Sequence, residues 1–173
     1  LRGSDPAAAL HYLARFLEAG DLITPCRRLL CSASEDVGMA DSNALQVAVA
    51  AYQACHFLGM PECDVHLTHA VVYLSMAPKS NALYTACEAC KKDVRTMRAE
   101  PVPLQIRNGV TGLMKELGYG KGYEYAHDTE EKLTHMQCMP DSLKDRTYYH
   151  PTDQGDEKKT AERLEEIRRF RES

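Results

Sequence analysis

Cys87 and Cys90 stand three residues apart, as do His66 and His69, and these four side chains are the set in the chain best suited to hold a metal. Two thiolates and two imidazoles match tetrahedral zinc. Both cysteines also fall on an apolar repeat with Leu83, Ala86 and Val94, where an unliganded thiol behaves as a small hydrophobe. With no second Cys-x-x-Cys and no turn glycine between the pair, the motif reads as core packing. A cysteine nucleophile needs a base beside it. Cys55 and His56 are neighbours in sequence and diverge on a helix, so no cysteine is marked for catalysis. The residues give no catalytic, metal or cofactor site.

The other chemistry-bearing segment is Gly118-Tyr119-Gly120-Lys121-Gly122-Tyr123. A phosphate-cradling loop requires Gly-Lys followed by Ser or Thr, between a strand and a helix. Here Gly122 follows Lys121 and a short helix precedes. Two readings stay open: a tight loop whose tyrosines pack onto the fold, or a contact loop that offers Lys121, Tyr119 and Tyr123 to another subunit or a nucleic-acid strand. Arg27, Arg28, Lys79, Arg107, Lys115 and Lys121 are the cations from which a basic surface would be built. Glu35 and Asp36 lie where a helix should end, which the helix dipole disfavours unless the helix stops earlier or a cation answers them. Arg27, Arg28 and Arg107 are the candidates for that ion pairing.

The elements that must position these groups are helical. Asp5-Pro6 and Thr24-Pro25 are helix starts, followed by the stripes Leu10, Leu13, Ala14, Leu17 and Cys26, Leu29, Leu30, Ala33. Asp41 or Ser42 caps a long alanine-rich helix carrying Leu45, Ala48, Val49 and Tyr52. Leu67, Ala70, Val71 and Leu74 make a fourth stripe, and Ser80 caps a fifth helix through Cys87 and Cys90 to Met97. Beyond Pro101 and Pro103 come a short helix with Leu113, Met114 and Leu117, the Gly/Tyr loop, and a further short helix capped by Asp128. The chain closes on a charged helix with a thin Ala161, Leu164, Ile167, Phe170 stripe and a Glu165–Arg169 pair. The fold class is all-α, a helical bundle or array with an irregular C-terminal extension.

No apolar run reaches the roughly 20 residues of a membrane-spanning helix. A net charge of −4 argues against a strongly basic nucleic-acid binder, though it leaves room for a local positive face. An odd number of cysteines, seven, with no leader-like N-terminus points to a reducing, cytoplasmic setting. The start at Leu1-Arg2-Gly3-Ser4 reads as a cut inside a longer protein.

Taken together, the segments at 13–20 (LARFLEAG), 26–30 (CRRLL), 33–38 (ASEDVG), 44–51 (ALQVAVAA), 59–62 (GMPE), 77–81 (APKSN) and 113–123 (LMKELGYGKGY) resemble the C-terminal region of the RarA/MgsA family of AAA+ ATPases. Pro140-Asp141 and Pro151-Thr152-Asp153 continue the likeness, and the Werner-helicase-interacting proteins are the eukaryotic relatives. The resemblance implies a clamp-loader-like collar that assembles a homotetramer at replication forks, with DNA and single-stranded-DNA-binding protein as partners. Nucleoid association would come through the parent protein. ATP and Mg belong to an upstream module whose motifs match nothing here. On this reading residues 1–98 form the collar-type oligomerisation domain, 99–155 an extension packed on it, and 156–173 a charged terminal helix. One departure, Ile106-Arg107-Asn108-Gly109-Val110-Thr111 in place of Leu-Arg-Asn-Ala-Pro-Thr, removes the proline that opens the next helix. The alternative function is a single-stranded DNA-binding or protein-docking module; a zinc- or thiol-dependent enzyme comes third. If the acids at 35 and 36 are paired, charge reversal of Glu35 weakens folding or assembly, read by thermal melting and sedimentation.

Overall fold

The computed structural model describes residues 1–173, which form seven α-helices joined by turns and short 3₁₀ segments, without strands. The all-α array expected from the sequence is what the chain adopts. Its residues divide into two compact units, Leu1–Glu88 with Tyr149–Ala161, and Ala89–Tyr148 with Glu162–Ser173.

In the first unit, α1 (Pro6–Glu18) begins where Asp5 accepts the Ala8 amide at 2.9 Å. Helix α2 (Ile23–Ser32) starts one residue before Thr24, because Asp21 accepts the Thr24 amide at 3.0 Å and supplies the cap. Helix α3 (Asn43–Leu58) follows, with Asp41 accepting the Asn43 amide at 3.1 Å. Helix α4 (Asp64–Met76) is central and packs against α1, α2 and α3. Its Leu67, Ala70 and Leu74 are wholly buried and, with Leu29, Val37 and Ala44, centre the core. Burial of a leucine of this kind is worth about 1.5–3 kcal/mol.

The alanine-rich helix turns its stripe differently from the sequence reading. Ala44, Ala48, Ala51 and Cys55 are inside, whereas Leu45, Val49 and Tyr52 are exposed. Small side chains let α3 approach its neighbours closely, and the larger apolar ones are left facing out. The cysteine reading is also corrected. Helix α5 (Ala82–Thr96) buries only Ala82; Cys87 is exposed and Cys90 half-buried. The thiols in the core are Cys26, Cys55 and Cys63.

Between α2 and α3 the backbone widens into a π-turn, Ala33–Val37, then tightens into a 3₁₀ turn, Gly38–Ala40. This junction receives three other segments. Arg2 Nε donates to Asp36 at 2.6 Å and Ser32 donates to the other carboxylate oxygen at 2.8 Å. The Ser80 amide donates to the Asp36 carbonyl at 2.8 Å, and the Asp156 amide to the Ala40 carbonyl at 2.8 Å. At Gly155 (φ 51°) a Cβ would lie 2.2 Å from that same Ala40 oxygen, so only glycine passes.

Glu157, the first residue of α7 (Glu157–Glu172), is completely buried without a cation. Tyr149 donates to Oε1 at 2.8 Å and Thr152 to Oε2. Burial pulls its pKa upward, but hydrogen bonds from Ser80, Thr152 and Tyr149 outweigh it and hold the carboxyl below its ordinary range. The remainder of α7 carries exposed pairs such as Arg169–Glu165 at 3.3 Å, which contribute little.

In the second unit, α6 (Gly112–Glu116) is capped by Thr111, whose hydroxyl accepts the Met114 amide at 3.3 Å. That cap supplies the helix entry the missing proline left open. The helix expected after Asp128 does not form: Ala126–Asp128 is a single 3₁₀ turn, and the Thr129 hydroxyl donates to the Ala126 and Leu133 carbonyls to keep a turn there.

A carboxylate with a lowered folded pKa contributes stability above its unfolded value of about 4.3 and loses it as pH falls through the folded value. Glu157→Gln is therefore expected to lower stability at neutral pH by about 1–3 kcal/mol. The gap to the unmodified chain closes on acidification, as thermal melting over a pH series should record.

Candidate functional site

Five of the sequence-selected residues converge. Arg107, Lys115, Tyr119, Lys121 and Tyr123 line one cleft of ≈ 640 Å³ in the second unit, together with Gln105, Asn108 and glycines 109 and 120. Its rim is the Gly/Tyr loop. Gly118, Gly120 and Gly122 hold φ of 86°, 75° and 83°, left-handed values that L side chains resist. Two successive turns result, Lys121 N to Gly118 O and Tyr123 N to Gly120 O, each at 3.2 Å. The loop is fastened by Gly120 N to Leu104 O at 2.9 Å and Tyr119 N to Met114 O at 3.0 Å. Gly109 lets the Tyr119 carbonyl come near; a Cβ there would lie 2.9 Å from it.

Arg107 braces this arrangement. Its guanidinium lies over the Tyr119 ring, 5.2 Å from the centroid, Nη1 reaches the Tyr119 hydroxyl at 3.4 Å, and Nε donates to the Val102 carbonyl. Lys115, Lys121 and Tyr123 are exposed. Tyr119 is half-buried against Arg107, as the packing reading expects, while Tyr123 is open to solvent. From Leu104 to Tyr123 the chain has three cations and one acid, Glu116, which is not part of the cleft wall.

The other five residues belong to the first unit: Glu35, Asp36 and Lys79 line one hollow with Arg2, and Arg27 lies apart from them. Arg28, Glu35 and Asp36 border a hollow of ≈ 320 Å³ with Arg2. Asp36 is the paired acid, and its cation is Arg2 rather than Arg27, Arg28 or Arg107. Glu35 is exposed, so the effect expected of its reversal rests more on Asp36. Arg27 instead edges an apolar groove of ≈ 200 Å³ with Ile23, Leu30 and Tyr52. Lys79 Nζ donates to the carbonyls of Leu74, Ser75 and Ala77, at 2.9, 3.2 and 2.5 Å, capping the end of α4. Burial lowers its pKa. With its donors turned inward, this lysine serves the helix end.

His66 and His69 are exposed on α4 and do not converge with Cys87 and Cys90 into a metal-holding group. Burial first, then the neighbouring thiol of Cys26 at Cys55 and of Cys55 at Cys63, pushes both up to about 11, which keeps them as thiols at neutral pH. Sequence reasoning missed Arg2, Glu157 and Asp93. Asp93 accepts from Tyr148 at 3.0 Å and pairs with Arg146 at 3.2 Å, contacts to residues distant in sequence that no local pattern announces.

The family described as MgsA AAA+ ATPase C terminal matches residues 3–168. An uncharacterised AAA domain-containing protein of Mycobacterium tuberculosis is 47% identical over 169 residues, 97% of this chain and 37% of its own length. Replication-associated recombination protein A of Haemophilus influenzae is 46% identical over 170 residues, 97% of this chain and 38% of its own. The ATPase WRNIP1 of Dictyostelium discoideum is 38% identical over 152 residues, 86% of this chain and 17% of its own. The chain spans less than two-fifths of the length of these curated relatives.

Replacing Arg107 by Ala removes the cation over Tyr119, an interaction worth about 0.5–1 kcal/mol at exposed sites. Amide hydrogen exchange across the Gly/Tyr loop should quicken roughly 2- to 5-fold on that basis. Arg107→Lys should not restore the slower rate, because an ammonium lacks the planar fork.

Proposed function

Since the chain belongs to the family of MgsA-type AAA+ ATPase C-terminal domains, we propose that it is the assembly domain of such an ATPase, joining copies into a homotetramer. The observation that carries this is the apolar surface of α3. Leu45, Val49 and Tyr52 recur at helical spacing on a flank roughly 100° round the helix from the buried alanines, and Tyr52 is 49% exposed. A helix apolar on both of these sides is normally covered on both.

Two further features support the reading. Tyr52 borders the groove with Ile23 and Leu30, and Ile23 is 73% exposed. Helix α4 likewise leaves Val65, Val72 and Met76 in solvent on the side away from its core residues. Apolar patches rimmed by polar residues such as Arg27 and His56 are typical of protein–protein contacts. The matching patch on a second copy is the occupant proposed here, as closed homo-oligomers require.

The parent ATPase, on this proposal, works in the cytoplasm in replication-associated recombination and fork maintenance. Its ATP and Mg are held by a module outside this sequence, with DNA and single-stranded-DNA-binding protein as partners. The family match and the names of the relatives support the part played in replication-associated recombination. No helix of this chain is long and apolar enough to cross a membrane.

Light scattering at micromolar concentration should return four times the chain mass of 19.4 kDa. The double substitution Val49→Asp, Tyr52→Asp should reduce that mass while leaving helical content and the melting transition in place. A strictly monomeric unmodified chain would overturn the proposal.

A further inference from the structure

The cleft under the Gly/Tyr loop has features that subunit assembly does not call for. Its charged lining consists of Arg107, Lys115 and Lys121, with no carboxylate among the wall residues, in a chain whose net charge is −4. Such a cavity concentrates positive potential locally whatever the molecular average. Exposed Tyr123, 55% in solvent, stands at the same wall. Its ring therefore has a free face at the same cavity that Lys115 and Lys121 line.

We propose that this cleft binds a segment of single-stranded nucleic acid. Lys115 and Lys121 neutralise successive phosphates, Tyr123 stacks on an unpaired base, and Arg107 with Tyr119 forms the rigid wall that holds the loop open. Stacking on aromatic rings beside a basic track is how single strands are held without regard to sequence.

Three observations favour this ligand over other polyanions. A duplex keeps its base faces stacked, so Tyr123 would be idle. Duplex reading also needs an element that enters a groove, and the helix at this cleft, α6, has five residues. An acidic peptide needs an apolar anchor pocket for affinity, and Ile106 is the one aliphatic side chain in the wall. The proposal is independent of assembly, since it uses neither α3 nor the groove at Ile23.

Fluorescence anisotropy of a labelled oligothymidylate tests it on the whole chain. Binding should be salt-sensitive, and the pair Lys115→Ala, Lys121→Ala should lower the slope of log affinity against log salt by about 1.4, at roughly 0.7 per phosphate on a single strand. Tyr123→Ala should weaken binding roughly 5- to 150-fold, the range of one lost stacking contact, and Tyr123→Phe should retain it. Light-scattering mass and helical content are expected to stay unchanged in all three variants, which separates loss of this site from failure of assembly. The proposal fails if the strand is not bound at low salt or if Tyr123→Ala binds as tightly as the unmodified chain. It fails equally if a duplex of the same length binds as well, or if polyglutamate displaces the strand as effectively as unlabelled oligothymidylate does.

Discussion

Alanine at successive turns of α3 governs how the first unit is put together. Ala44, Ala48 and Ala51 share the core with Leu67, Ala70, Val71 and Leu74 of α4, and side chains of one carbon hold the two helices close. Close-packed interiors have no spare volume, and inserting a Leu or Tyr between these helices would force them apart. Leu45, Val49 and Tyr52 are therefore excluded from the core by size rather than by polarity. The apolar exterior that the assembly proposal rests on is a consequence of the tight interior, and one helix supplies both.

Polar groups then fix the segments that the helices cannot. The last carbonyls of α4 lack intrahelical donors, and Lys79 satisfies two of them, with the carbonyl of Ala77 just beyond, from the following turn. The Ala33–Ala40 junction gathers the N-terminus through Arg2, the post-α4 turn through Ser80 and the C-terminal segment through Asp156. Glu157 completes this by accepting hydroxyl donors at a wholly buried position. A charge survives there because each hydrogen bond to a carboxylate offsets part of the burial cost.

The second unit works by backbone conformation more than by apolar packing. Three left-handed glycines at alternate positions turn the chain twice within six residues, and Arg107 on Tyr119 stiffens the result. Cations spread over residues 107–121 are thereby collected around one cavity while the one acid of the same region, Glu116, stays outside its wall. Net charge is a sum over the chain, whereas a ligand meets only the potential of the surface it touches.

Much of this was legible in the sequence, because helix starts and stripes are local signals. Asp5, Asp41, Ser80 and the repeat of Leu67, Ala70, Val71 and Leu74 lie within a few residues of the groups they act on, and the structure uses each as read. The Gly/Tyr loop was visible for a similar reason, since glycine at alternate positions announces left-handed backbone. What the sequence could not determine was which of two apolar faces goes inside and which ions meet. Cys87 and Cys90 repeat with the right period yet remain outside the core, because a stripe is buried only if another element covers it. Arg2 rather than Arg28 pairs with Asp36, and Glu157 leaves solvent inside a run that reads as a charged surface, because both depend on chain segments brought together from far apart. Periodicity is a property of neighbours along the chain; burial and pairing belong to neighbours in space, and only the tertiary structure chooses those.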